Sequence, residues 1–173
     1  LPTGVSFPDG RTGVMFRALE TTIAEADRLA PGDGAVLGAM LESFGPYTAD
    51  VFALFGMDLT SPAASEIIAR LLRSETGQGY SPFVKILLDT ARTVVGSFQS
   101  PVLQAMLAPW VMHLGRTPDE LGSGIWVVLV LLALMGGGMP TPEGGSERLA
   151  EALVGLIEAR GGVVRTSARV SRI

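Results

Sequence analysis

Between Leu121 and Pro142 the chain carries no charged side chain, and within it Ile125-Trp-Val-Val-Leu-Val-Leu-Leu-Ala-Leu-Met135 is apolar without a break. A segment with no polar face has few destinations: the centre of a core, the wall of an apolar cavity, or a bilayer. Glycines and prolines interrupt it at both ends before it offers the roughly 20 apolar residues that a membrane-spanning helix needs. A buried core helix is the first reading, a helix lining an apolar substrate cavity the second, and an element inserting into or touching a membrane the third. The β-branched Val127, Val128 and Val130 also leave a strand open. Composition adds to the constraint. Hydrophobic residues make up 47% of the chain and charged ones 17%, with a mean hydropathy of +0.40. Apolar excess of this size accompanies a neighbouring domain, an oligomer interface or an apolar ligand cavity.

The middle of the chain is punctuated by helix starts. Ser61-Pro62, Ser81-Pro82, Ser100-Pro101 and Thr117-Pro118 each put a capping hydroxyl ahead of a proline suited to the first helical position. Thr117 and Glu120 also have the spacing of a capping box. Helices are predicted near 12–30, 34–44, 48–56, 62–74, 82–97, 101–114, 118–135 and 146–160, with Pro109 kinking or splitting its helix. The segments between the four starts share no side-chain pattern, so they record a helical bundle rather than a repeat.

The last part of the chain changes character. Pro142-Glu-Gly-Gly-Ser146 is a turn with Ser146 placed to cap a helix, and Leu149, Leu153, Leu156 and Ile157 recur on one face of that helix. Gly161 supplies the left-handed position that ends it. Val163-Val-Arg-Thr166 and Ala168-Arg-Val-Ser-Arg-Ile173 then read as strands. The expected fold is mainly α, a helical bundle with short β elements at both ends, divided into a helical region 1–139 and a turn-helix-strand junction 140–173.

This closing unit resembles the flavin-dependent oxidoreductases of the phytoene desaturase and flavin amine oxidase superfamily. In that family a P-x-G-G turn opens a helix, a Gly-Gly ends it, and a strand with a V-x-x-I signature follows. Here those elements are Pro142-Glu-Gly-Gly145, Gly161-Gly162 and Val170-Ser-Arg-Ile173. Phe98-Gln-Ser-Pro-Val-Leu103 and Gly115-Arg-Thr-Pro118 are similar to helical segments of the family's substrate domain, and Phe7-Pro-Asp-Gly-Arg11 to a hairpin tip in it. The resemblance implies FAD as cofactor, with Gly144 and Gly145 against the flavin ring and Val170 toward the adenine end. It implies an apolar substrate, isoprenoid or carotenoid in type, held in part of an α+β substrate-binding domain of a two-domain flavoprotein.

The family's G-x-G-x-x-G nucleotide turn has no counterpart here, since Gly136-Gly-Gly138 lacks the spacing and an acidic ribose partner. The expectation is therefore a substrate-domain fragment, inactive alone, whose partner is a missing FAD-binding domain of the same parent chain. The alternative is a stand-alone helical module binding an apolar ligand or a partner helix.

Other function classes find little support. A net charge of −4 argues against a nucleic-acid partner, and with no cysteine and one histidine there is no disulfide framework and little for a metal site. The scattered carboxylates Asp27, Asp33, Asp50 and Asp89 form no catalytic pair, no Ser/His/Asp set can be assembled, and the catalytic residues stay unknown. His113 reads as structural or surface, with catalysis the lesser alternative. Phe52, Phe55 and Met57 read as core or as an apolar ligand face, and Tyr47 and Tyr80 as core or pocket mouth. The opening Leu1-Pro2 is not signal-like, which suits a cytoplasmic origin or an excised fragment. Peripheral membrane contact and a homo-oligomer stay open.

Overall fold

The computed structural model describes residues 3–73 and 79–172. The chain is mainly helical, with a two-stranded antiparallel sheet near its N-terminus. It divides into two units, Leu1–Gly138 and Met139–Ile173.

The first unit opens with a hairpin. β1 (Thr3–Ser6) pairs with β2 (Thr12–Met15) in the register Thr3↔Met15 to Ser6↔Thr12. The tip is the Phe7–Arg11 segment, closed by the Phe7 amide donating to the Arg11 carbonyl at 2.8 Å, with Gly10 at φ +88°. The predicted helix 12–30 is thus shortened from the front: Thr12–Met15 is strand, and α1 runs over Leu19–Leu29. Thr22, buried in α1, accepts from the Phe16 amide at 3.1 Å and so fixes the turn from strand to helix. The outer edge of β2 is covered by side chains of α1. The Val14 amide donates to Glu25 at 3.1 Å, and Arg28 donates both to the Thr12 carbonyl and to Glu25. An ion pair therefore occupies backbone groups that another strand would otherwise take.

Six further α-helices follow, the first two without a side-chain cap: α2 (Asp33–Phe44), α3 (Thr48–Phe55), α4 (Pro62–Leu72), α5 (Pro82–Leu88), α6 (Ala91–Gly96) and α7 (Pro101–Leu107). The last residue of the predicted helix 62–74 lies outside the described residues. Ser61 and Ser100 cap as predicted, accepting from the amides of Ala64 and Leu103. Ser81 occupies the cap position of α5, but its hydroxyl donates instead to the Leu71 carbonyl and ties α5 to the end of α4.

The helix expected over 82–97 is two helices. Asp89 and Thr90 are extended, Thr90 caps α6 by accepting from the Thr93 amide at 3.1 Å, and the Asp89 carbonyl is taken by the Gly124 amide at 3.0 Å. Pro109 splits its helix as expected, separating α7 from α8 (Pro109–His113). The helix expected to start at 118 starts later, as α9 (Gly124–Gly137). Half of the capping box forms, since the Thr117 amide reaches Glu120, but Gly122 at φ +78° turns the chain out of helical geometry.

α9 resolves the question posed by the uncharged run. It is a core helix, with Ile125, Val127, Val128, Leu129, Leu131 and Leu134 buried, and it packs against α2, α5, α6 and α8. No described helix is long and apolar enough to cross a membrane. The strand alternative for the valines fails because this run already lies among helices on several sides, where a backbone that satisfies its own hydrogen bonds is favoured.

The second unit holds α10 (Glu147–Ala159). Ser146 stands at its cap position without a side-chain bond. Its end is a Schellman arrangement: Gly161 at φ +80° donates to the Glu158 carbonyl and Gly162 to that of Ile157. None of the helix is buried, and Leu149, Leu153, Leu156 and Ile157 are each close to half exposed. The strands read at 163–166 and 168–173 are not formed among the described residues. Their alternation is real, but a strand exists only through a neighbour that takes its amides and carbonyls, and no described segment pairs with them. The final residue of the V-x-x-I signature lies outside the described residues.

Candidate functional site

The first unit departs from a closed core at an apolar groove of about 510 Å³. It is walled by residues of α3, α4, α5 and α9, with the loop between α8 and α9 adding Arg116, Leu121 and Gly122. Val51, Leu71, Phe83, Ile125 and Leu129 make a buried floor, while Phe55, Leu59 and Leu121 stand at the rim, each at least 60% exposed. Its size lies in the range of small-molecule pockets, roughly 300–1,000 Å³. Phe55 meets the Trp126 ring edge-on at 5.9 Å and Phe52 at 6.0 Å, so a run of aromatic rings leads from the surface to the α9 wall.

The walls are fixed by polar ties outside the groove. Arg70 of α4 holds Asp50 of α3 through two hydrogen bonds of 2.7 Å. The same guanidinium keeps the Asp50 carboxyl below the usual carboxylate range, overcoming desolvation. The Ser81 hydroxyl joins α5 to α4, and the buried Ser123 accepts from the Ala91 amide at 2.7 Å, which sets the start of α9 against α6. Gly124 is required there, because a Cβ would lie 2.8 Å from a Val94 methyl and 2.9 Å from the Asp89 carbonyl oxygen.

Arg116 is the one charged residue among the described groove lining. It pairs with Glu120 one turn on in the same loop, and both side chains remain partly exposed. A second, smaller cavity of about 310 Å³ lies between β1 and the α7–α8 pair, lined in part by Val5, Met106, Trp110 and His113. No group of three or more His, Cys, Asp or Glu that could hold a metal ion occurs among the described residues.

The residues singled out from the sequence are distributed as follows. Gly144 and Gly145 form a left-handed turn at φ +82° and +95°, closed by the Gly145 amide donating to the Pro142 carbonyl at 3.1 Å. A side chain at Gly145 would meet nothing within 4 Å, so its backbone can be approached closely, whereas one at Gly144 would meet the Arg148 side chain. Val170 is 73% exposed and lies in irregular chain rather than in a strand, so its expected strand position is not formed. Tested against FAD, Gly145 leaves its backbone open and Gly144 is covered by the Arg148 side chain, and no described loop offers the glycine-rich cradle that a pyrophosphate needs.

Phe55 lines the groove, Tyr47 packs into the core between Phe44 and Phe83, and Tyr80 is exposed. The sequence reading did not assemble the groove from Leu54, Leu59, Ile68, Leu72, Leu87 and Leu121. Its signals there were the surplus of apolar residues, the cavity-lining alternative for the uncharged run and the ligand-face alternative for Phe55. No protein-family model matches the chain, and comparison with curated proteins and with solved structures finds no match.

Proposed function

We propose that this chain is the substrate-binding part of an FAD-dependent oxidoreductase of the phytoene desaturase type, and that the groove walled by α3, α4, α5 and α9 takes its apolar, isoprenoid-like substrate. The observation that carries the reading is a groove lined by aliphatic and aromatic side chains with a single charged residue. A hydrocarbon chain gains there by leaving water, and offers no polar group that the floor would leave unpaired. In the intact parent, bound FAD supplies the redox chemistry of hydride removal from a substrate C–H bond. This chain's residues hold the substrate, exclude water from it and present the Gly144-Gly145 backbone; the nucleotide cradle belongs elsewhere in the parent.

The test is a fluorescence titration with a long-chain isoprenoid alcohol. Trp126 lines the groove, so its emission reports filling, and Trp126→Phe removes the signal. Saturable binding is expected, abolished by Leu87→Glu, which places a charge in the apolar groove without adding a fluorophore. Binding that survives Leu87→Glu refutes the placement. Stoichiometric binding of FAD to this chain alone refutes the division of labour.

A further inference from the structure

We infer that the ligand of the groove is an amphiphile with a carboxylate head, its tail on the apolar floor and its head on Arg116. This rests on the reading of the groove as an apolar-substrate site and names the chemical class it takes. Arg116 is the lone charged residue of the described lining, set on the loop that also contributes Leu121 and Gly122. A cation at one place in an otherwise uncharged groove favours a ligand with one anionic end. An apolar chain that ends in a carboxylate uses both the uncharged floor and this cation.

Glu120 presents a carboxylate to the Arg116 guanidinium through one nitrogen, Nη1. The planar guanidinium has further N–H groups to offer a ligand carboxylate. The Arg116 and Glu120 side chains are 45% and 39% exposed. A pair this exposed contributes little on its own, so exchange of Glu120 for a ligand carboxylate is easy. Glu120 is thus a competitor that holds the guanidinium in place until the ligand arrives.

The experiment compares a long-chain fatty acid, the alcohol of the same chain length and the matching alkyl phosphate, each titrated below its micelle concentration and followed by Trp126 emission. The acid is expected to bind about five-fold tighter than the alcohol, the ratio that one partly exposed ion pair supports. Arg116→Gln should bring acid and alcohol to equal affinity without changing the alcohol. Glu120→Gln should tighten the acid alone, an effect that loss of structure does not produce. Equal binding of acid and alcohol by the unaltered chain, or an acid preference that survives Arg116→Gln, overturns the head-group assignment and leaves the apolar-groove reading standing. Stronger binding of the phosphate than of the acid overturns the choice of carboxylate. If none of the three binds, the groove reading fails as well.

Discussion

Asp33 has no exposed surface and ties distant segments of the first unit together. It stands at the start of α2, and its two carboxylate oxygens accept from the backbone amides of Gln99 at 2.8 Å and Ser100 at 2.9 Å. Those amides lead into α7, so one carboxylate meets the positive ends of two helices and fastens segments far apart in sequence. Asp33→Ala removes both acceptors and strands the buried Ser100 amide and the part-buried Gln99 amide. Each hydrogen bond to a charged group is worth roughly 1.5–3 kcal/mol, giving about 3–6 kcal/mol for the pair, and partial entry of water brings the expected loss toward about 3–4 kcal/mol. Asp33→Asn keeps one carbonyl oxygen but turns an amide donor toward the other backbone N–H, so it should lie between, near about 2 kcal/mol.

Urea unfolding at neutral pH, followed by tryptophan emission, measures these losses, because Trp110 and Trp126 both lie in the first unit. For a chain of this size each kcal/mol shifts the melting temperature by roughly 2–4 °C, so Asp33→Ala should melt about 6–16 °C lower. An alanine variant within about 0.5 kcal/mol of the unaltered chain, the range of an ordinary surface substitution, would refute the tie. An asparagine variant as unstable as alanine would show that one acceptor oxygen holds nothing without the second.

Two further perturbations test other joints. Gly124→Ala drives a Cβ against the Val94 side chain and the Asp89 carbonyl, and should destabilise by about 1–3 kcal/mol in the same unfolding assay; a neutral result would mean α9 is not seated there. Glu25 tests the clasp on β2. Its hydrogen bonds with Arg28, aided by the Val14 amide, hold its carboxyl below the usual glutamate range. A depressed carboxylate contributes stability that is present above its unfolded pKa and lost as pH falls through the lowered folded value. Glu25→Gln should therefore be less stable near neutral pH and draw level with the unaltered chain on acidification. A stability gap independent of pH would refute the ionic part of the clasp.

What could be read from the sequence follows the range of the interactions concerned. Ser61 and Ser100 announce their helices because a cap and its amide lie within one turn. Pro109 likewise acts on its own helix. Ser81 and Thr90 show where this ends: the first gives its hydroxyl to Leu71, and the break at the second depends on Asp89 and Ala91 meeting Gly124 and Ser123. The hairpin tip was legible at Phe7–Arg11, but the strand after it was read as helix because its identity depends on pairing with Thr3–Ser6. The valines after Gly162 had the alternation of strands without a partner. The groove was hard to assemble for the same reason, since its walls come from four helices and two loops spread over much of the chain.

α9 joins the fold to the proposed function. An uncharged helix needs cover on every side, and α2, α5, α6 and α8 pack against it. Beside these contacts, Ile125, Trp126 and Leu129 line a groove, and the rim residues Phe55, Leu59 and Leu121 are left in water. Their exposure does not help folding, because apolar surface there gains only when something covers it. The floor is already dry, so a ligand's affinity must come from burying its own tail together with that rim and the exposed part of Trp126. On the proposed reading Arg116 orients the ligand: apolar contact alone accepts a chain in either direction, whereas a cation in the lining favours one.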